Sequence, residues 1–204
     1  LLLTFTNRAA REMLERAKEV AGDAVGNLLS GTFHHVCNRF LRRFGDRLGY
    51  PNDFTILDRD ESHALIDRCI KDTVRNKKDF PKKDVMASLI GSAANRACDI
   101  EDVLEQTVQE LRVDPMEIIK VANLYGERKL AMGAMDFDDL LVNGLRLLVE
   151  HESVRGFYQN RFRHVLVDEY QDTNLLQARM VDILGGLSRN VMAVGDDFQC
   201  IYSW

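Results

Sequence analysis

The residues best equipped for chemistry lie together in Val165-Leu166-Val167-Asp168-Glu169-Tyr170-Gln171-Asp172-Thr173-Asn174. An apolar run ends there in two adjacent carboxylates and then a helix cap. Along an extended chain neighbouring side chains point in different directions, so Asp168 and Glu169 can take separate roles. An acid at a strand end suits the water shell of a magnesium ion beside a nucleotide, and a second acid can orient or deprotonate an attacking water. Two acids near a helix N-terminus are also favourable for purely local reasons. The letters D-E alone therefore decide nothing, whereas the whole run is far more specific.

These residues need strands that end at one edge and helices that return the chain. Leu1 to Phe5, Leu28 to Thr32, Phe54 to Leu57, His164 to Val167 and Asn190 to Val194 read as short strands. Helical spacing predicts helices from Asn7 to about Val20, from Phe33 to Leu48, from Phe137 to Val149 and from Asn174 to Leu184. In the helix from Phe137, the residues Phe137, Leu140, Leu141, Leu145 and Leu148 form the apolar face. Short apolar strands alternating with helices predict an α/β fold with a parallel sheet, whose ligands bind beyond the carboxyl ends of the strands. From Asp58 to Met135 the texture changes to successive helices at roughly 60–75, 84–96, 100–111 and 115–131, without a convincing strand. The expected organisation is an α/β unit formed by 1–57 and 136–204, interrupted by a helical subdomain at 58–135.

Composition narrows the class. The chain has 204 residues, 46% apolar and 29% charged, enough for a buried core with a solvated surface. No apolar run approaches the ~20 residues of a membrane helix, and the leading Leu1-Leu2-Leu3 does not make a signal peptide. Cys37, Cys69, Cys98 and Cys200 are scattered without a C-x-x-C pair, as expected of reduced thiols and a cytoplasmic location. The net charge of −5 is a weak objection to nucleic-acid binding, because a groove that grips single strands by stacking need not be basic overall. Arg39, Arg42, Arg43 and Arg47 lie along one helix. Lys71, Arg75, Lys77, Lys78, Lys82 and Lys83 cluster in the helical stretch. Both sets could meet phosphates, although interleaved acids make a solvated face the simpler reading.

D-E-Y-Q-D-T-N resembles helicase motif II of the UvrD/Rep/PcrA family of superfamily 1 DNA helicases. Thr4-Phe5-Thr6-Asn7-Arg8-Ala9-Ala10-Arg11-Glu12-Met13 resembles motif Ia, Gly31-Thr32-Phe33-His34 motif Ib, and Val194-Gly195-Asp196-Asp197-Phe198-Gln199-Cys200-Ile201-Tyr202-Ser203-Trp204 motif III. Four matches in the family's order span the chain. The resemblance implies a partial RecA-like motor domain that uses ATP and Mg2+, with Asp168 on the magnesium and Glu169 as the catalytic base close to it. Gln199 would sense the γ-phosphate, and Asp172 would brace that loop. Phe5, Thr6 and Asn7 would line a single-strand path, Thr32, Phe33 and His34 would touch DNA, and Tyr202 and Trp204 would stack on bases. Spacing alone also allows Phe5 and Phe33 as core residues and Thr32 as a helix cap.

The sequence departs from the family at several points. No G-x-x-x-x-G-K-S/T phosphate loop (Walker A) occurs, and in the family that loop precedes motif Ia. Phe198 stands where an acid is usual, and Cys200 where serine is common. The implied function is a piece of an ATP-dependent helicase moving 3′ to 5′ on single-stranded DNA and at single/double-strand junctions. Repair or replication proteins would be its partners. The isolated piece would lack ATPase activity and tend to self-associate. A non-hydrolysing DNA- or partner-binding relative of the same fold is the alternative.

Overall fold

The computed structural model describes residues 1–22, 25, 28–76, 78–107, 113–196 and 198. Its strands, numbered in chain order, are β1 (Leu2–Thr4), β2 (Ser30–Thr32), β3 (Thr55–Ile56), β4 (Ala134–Met135), β5 (Val165–Val167) and β6 (Val191–Ala193). Its helices are α1 (Asn7–Ala21), α2 (Phe33–Phe44), α3 (Arg59–Thr73), α4 (Lys83–Arg96), α5 (Ile100–Thr107), α6 (Pro115–Ala131), α7 (Phe137–Glu150), α8 (Glu152–Arg161) and α9 (Leu175–Gly185).

Four strands form one parallel sheet in the order β2-β1-β5-β6. The buried β1 lies inside it, with Leu3 opposite Gly31 on one side and Val167 on the other. The sheet is incomplete in the sense expected of a partial RecA-like fold. Among the described residues nothing pairs with the outer side of β6, where Val191 and Met192 are exposed. The helices begin where short polar side chains cap them. Thr6, Thr32, Asp58, Asp136 and Asn174 each accept a hydrogen bond from a first-turn N–H, and the last three form reciprocal capping boxes. The cap of α1 is thus Thr6, and the helix begins at Asn7 as expected.

Two apolar cores result. One gathers β1, β5, α2, α7, α8 and α9 around Phe40, Leu41, Leu147, Leu148 and Met180. The other lies among α3, α4, α5 and α6, around Ile66, Met86, Leu104 and Val121. The helical stretch is bounded by β3 and β4, which pair in parallel with each other and not with the main sheet. Phe54–Leu57 was expected to form a strand, and β4 was not foreseen. Two-residue strands carry almost no periodic signal. Among the described residues no helix is long and apolar enough to cross a membrane.

The core around α2 and α7 is tight. A Cβ added at Gly144 on α7 would lie 2.7 Å from Cys37 Sγ and 2.9 Å from its Cβ. Cys37 is fully buried beside Met180, their sulfurs 3.5 Å apart, and burial pushes its thiol far up, so it packs as an inert apolar group. At Gly126 on α6 an added Cβ meets nothing within 4 Å. Gly144→Ala is therefore expected to destabilise by about 1–3 kcal/mol through overpacking. Gly126→Ala should stabilise by up to about 1 kcal/mol through helix propensity. Urea denaturation of the two variants checks this opposition of sign.

Candidate functional site

In a parallel sheet all carboxyl ends face one way, so the four segments that follow the strands lie at one edge. After β1 come Phe5, Thr6 and Asn7; after β2, Phe33 and His34; after β5, Asp168 and Glu169; after β6, Val194 to Asp196. The Asp168 N–H donates to the Leu3 carbonyl at 2.9 Å, which seats the first acid beside the end of β1. Both acids are half-buried. Glu169 has φ 55° and ψ 44°, the left-handed region that a side chain enters at a cost of about 1 kcal/mol. That turn swings the second carboxylate away from the direction the strand would give it.

The turn is held by a side chain that the sequence reading did not single out. Gln171 Nε2 donates to Glu169 Oε2 at 2.5 Å, and Gln171 Oε1 accepts from the Asp196 N–H at 3.0 Å. The Tyr170 N–H donates to the Val194 carbonyl at 2.9 Å. The loop after β5 is thus stitched to the loop after β6. Gly195 permits the approach, since a Cβ there would sit 2.7 Å from Gln171 Oε1. Asp172 donates its N–H to the Glu169 carbonyl in the same turn. The signal for Gln171 was present in sequence as a two-ended amide two residues beyond Glu169. Gln199, Tyr202 and Trp204 lie outside the described residues.

The donor set at this edge fits magnesium. Two carboxylates end β5, and the Thr4 hydroxyl at the end of β1 is buried without a hydrogen-bond partner among the described residues. Hard oxygen donors suit Mg2+, which keeps several waters and needs only one or two carboxylates beside substrate phosphates. Among the described residues no group of three or more His, Cys, Asp and Glu could form an all-protein metal cage.

The other residues divide by exposure. Thr6 and Asn7 are exposed and Phe5 is half-buried. Thr32 Oγ1 accepts from the His35 N–H at 3.2 Å, so this hydroxyl caps α2. Phe33 is only 2% exposed, and its ring is part of the core with no free face for a base. His34 is half-buried, and burial pulls its imidazole below the ordinary range, leaving it neutral near pH 7. Its ring meets Phe137 edge-on, with centroids 6.0 Å apart. Phe137 is 57% exposed, which corrects its expected place on the apolar face of α7. The first turn of that helix projects beyond the core, so helical phase alone misplaced the residue.

Phe137 and Asp138 also line a cavity of about 180 Å³ with Asp58, Arg59 and His63, between the start of α7 and α3. Asp138 is pushed up to about 6 by burial, with Asp136 and Asp139 adding to the effect and Lys129 opposing it.

The UvrD/REP helicase N-terminal domain model matches residues 1–204. ATP-dependent DNA helicase PcrA of Staphylococcus aureus (strain NCTC 8325 / PS 47) is 35% identical over 204 residues, covering all of this chain and 27% of the relative. PcrA of Bacillus subtilis (strain 168) is 34% identical over 211 residues, with the same coverage. PcrA of Staphylococcus epidermidis is 33% identical over 205 residues. The chain spans about a quarter of the length of these curated relatives.

Two measurements probe this edge. Gln171→Leu removes both bridging hydrogen bonds and should raise the hydrogen-exchange rate of the Asp196 amide by about tenfold, roughly one hydrogen bond's worth. Unchanged protection would mean the bridge does not hold the loop. Because the folded chain binds the Asp138 proton more tightly than the unfolded chain, that stabilisation is present at low pH and is lost as pH rises through about 6. Asp138→Asn should therefore raise stability at pH 7.5 by on the order of 1 kcal/mol and flatten the slope between pH 4 and 6. Thermal melts across that range test both parts.

Proposed function

This chain belongs to the UvrD/REP helicase N-terminal domain family, and from that premise we propose that it is part of the first motor domain of an ATP-dependent DNA helicase. The parent moves 3′ to 5′ on single strands, acts at single/double-strand junctions, and works in the cytoplasm with repair or replication proteins. The observation that carries this reading is the Gln171 bridge, which ties the acid pair to the loop after β6.

Asp168 and the orphaned Thr4 hydroxyl would hold the magnesium, with Glu169 close by. When bound, that ion neutralises charge on the β- and γ-phosphates. Glu169 orients the attacking water and takes its proton. Gln171, by donating to Glu169 Oε2, fixes which carboxylate oxygen is free for that proton. The same side chain holds Asp196, three residues before Gln199 in sequence, and so couples the acid pair to the stretch that leads to Gln199, Tyr202 and Trp204. Asp172 braces the turn.

On the DNA side, Phe5, Thr6 and Asn7 line the path and His34 contacts it as a neutral ring. Thr32 and Phe33 act from beneath, one as the cap of α2 and the other as its anchor in the core. Phe137, exposed beside His34, adds a face on which a base can stack. Residues 58–135 act as an inserted helical subdomain that meets duplex or single strand, with Lys82 and Lys83 among its contacts. The sequence holds no phosphate-loop lysine of the G-x-x-x-x-G-K-S/T kind, so the chain by itself is inactive. The exposed side of β6 favours its self-association.

The test is ATPase activity of the full-length protein with and without single-stranded DNA, beside Glu169→Gln. Stimulation by DNA that falls at least a hundredfold in the variant is expected. Absence of hydrolysis under every condition would transfer the chain to a non-hydrolysing binding role.

A further inference from the structure

The amino-terminal end of the sheet carries a second feature that the proposed reaction does not use. The last two turns of α2 bring Arg39, Arg42 and Arg43 there, and α8 brings Phe157, Tyr158 and Arg161. With Leu28, Leu29, Phe40 and Phe162 they line a half-open depression of about 650 Å³. Four arginines and, among the described residues, no acid line it, in a chain with 32 Asp and Glu against 27 Lys and Arg. Arg42 is already committed: its guanidinium lies 3.8 Å over the Phe54 ring and donates to the Phe54 carbonyl. Among the described residues, Arg39, Arg43 and Arg161 form no salt bridge. All three act on the Tyr158 hydroxyl, which burial nevertheless pushes up to about 12.

Beneath the arginines the floor is aromatic and closed. Phe40 and Tyr158 stack with centroids 3.8 Å apart, and Phe162 stacks on Tyr158 at 5.6 Å. These three rings are buried, so none offers a face to a nucleobase. Arg43 is laid over Phe157 at 4.5 Å, which fixes its planar fork. A fixed guanidinium fork matches a carboxylate bidentately. Arg39, Arg43 and Arg161, lining one half-open depression without a salt bridge among the described residues, suit a few closely spaced carboxylates more than a continuous phosphodiester track. The half-buried Leu29 and Phe157 give an apolar side chain somewhere to rest.

We propose that this depression is a docking site for an acidic peptide segment of a partner protein, one carrying an aromatic or large aliphatic side chain among its carboxylates. It lies at the opposite end of the sheet from Asp168, Glu169 and His34, so a bound partner leaves the nucleotide and DNA edge free. The site is independent of the ATPase reading, and its failure would not touch that reading.

The probe is a fluorescein-labelled octapeptide with Asp and Glu at alternate positions and a C-terminal Phe, measured by fluorescence anisotropy against the full-length protein. A matched Asn/Gln peptide and an oligo-dT strand serve as controls. Saturable binding is expected to weaken at least tenfold with the neutral peptide, and at least tenfold in the double variant Arg39→Ser, Arg161→Ser, whose sites are both exposed. Oligo-dT should not displace the peptide. The charge-reversed variant Arg39→Glu, Arg161→Glu should bind a Lys version of the peptide, a gain that a misfolded protein cannot give. No binding to the unmodified protein, or equal binding to the double variant, overturns the proposal. Displacement by oligo-dT, with oligo-dT affinity itself reduced in the double variant, would make the depression a nucleic-acid track and also overturns it.

Discussion

One carboxylate, Asp136, stands where the two cores meet. Its Oδ1 accepts the Asp139 N–H at 2.8 Å and so starts α7. Its Oδ2 accepts from the Tyr125 hydroxyl and from Lys129 Nζ, each at 2.7 Å, both on α6. Lys129 also reaches Asp139 at 2.6 Å and is almost wholly enclosed. Burial opposes every charge in this group. The lysine still holds Asp136 below the ordinary carboxylate range, Asp139 sits above it, and the two acids keep Lys129 charged. A buried ion group of this kind adds little net stability, but deleting one member strands the others at a cost of about 3–5 kcal/mol. It ties the end of α6 to the start of α7 and so joins the helical layer to the main core.

That junction bears on the site, because α7 is the helix on which α2 lies. Gly144 lets the backbone of α7 come against Cys37 of α2, and α2 begins at the Thr32 cap directly after β2. The edge-on meeting of His34 and Phe137 is therefore a product of two helix starts, one fixed by the sheet and the other by Asp136. The acid pair is set differently, by the sheet, by the positive φ at Glu169 and by the Gln171 bridge. The two halves of the edge are then joined to separate parts of the scaffold and meet only through loops.

Much of this was legible. The run 165–174 read as strand, acid pair and helix cap, and β5, Glu169 and the Asn174 cap stand in that order. The four helices between 58 and 135 fall near their expected spans, because each carries an apolar stripe long enough to show its period. What escaped has physical reasons. α8 buries only Val154 and Tyr158 and has Gly156 at its middle, so its period is faint. The helix expected from Phe33 to Leu48 tightens into a 3-10 turn at Gly45–Leu48, a change of pitch that apolar spacing does not report. Phe137 fits the helical phase of α7 yet lies outside the core, since phase says nothing about where a core ends. The bridge through Gln171 depends on two loops coming together, information that no local window contains.

The pairing of β3 with β4 has a consequence for how this architecture could have grown. The two strands run in the same direction, with Thr55 opposite Ala134 and Ile56 opposite Met135. Parallel neighbours cannot be joined by a tight turn and need a crossover of a dozen or more residues. The whole helical layer is thus the crossover connection between two parallel strands. Ancestral or minimised versions could shrink it to a single covering helix while keeping both strands. They could not remove it altogether without reversing one of the strands.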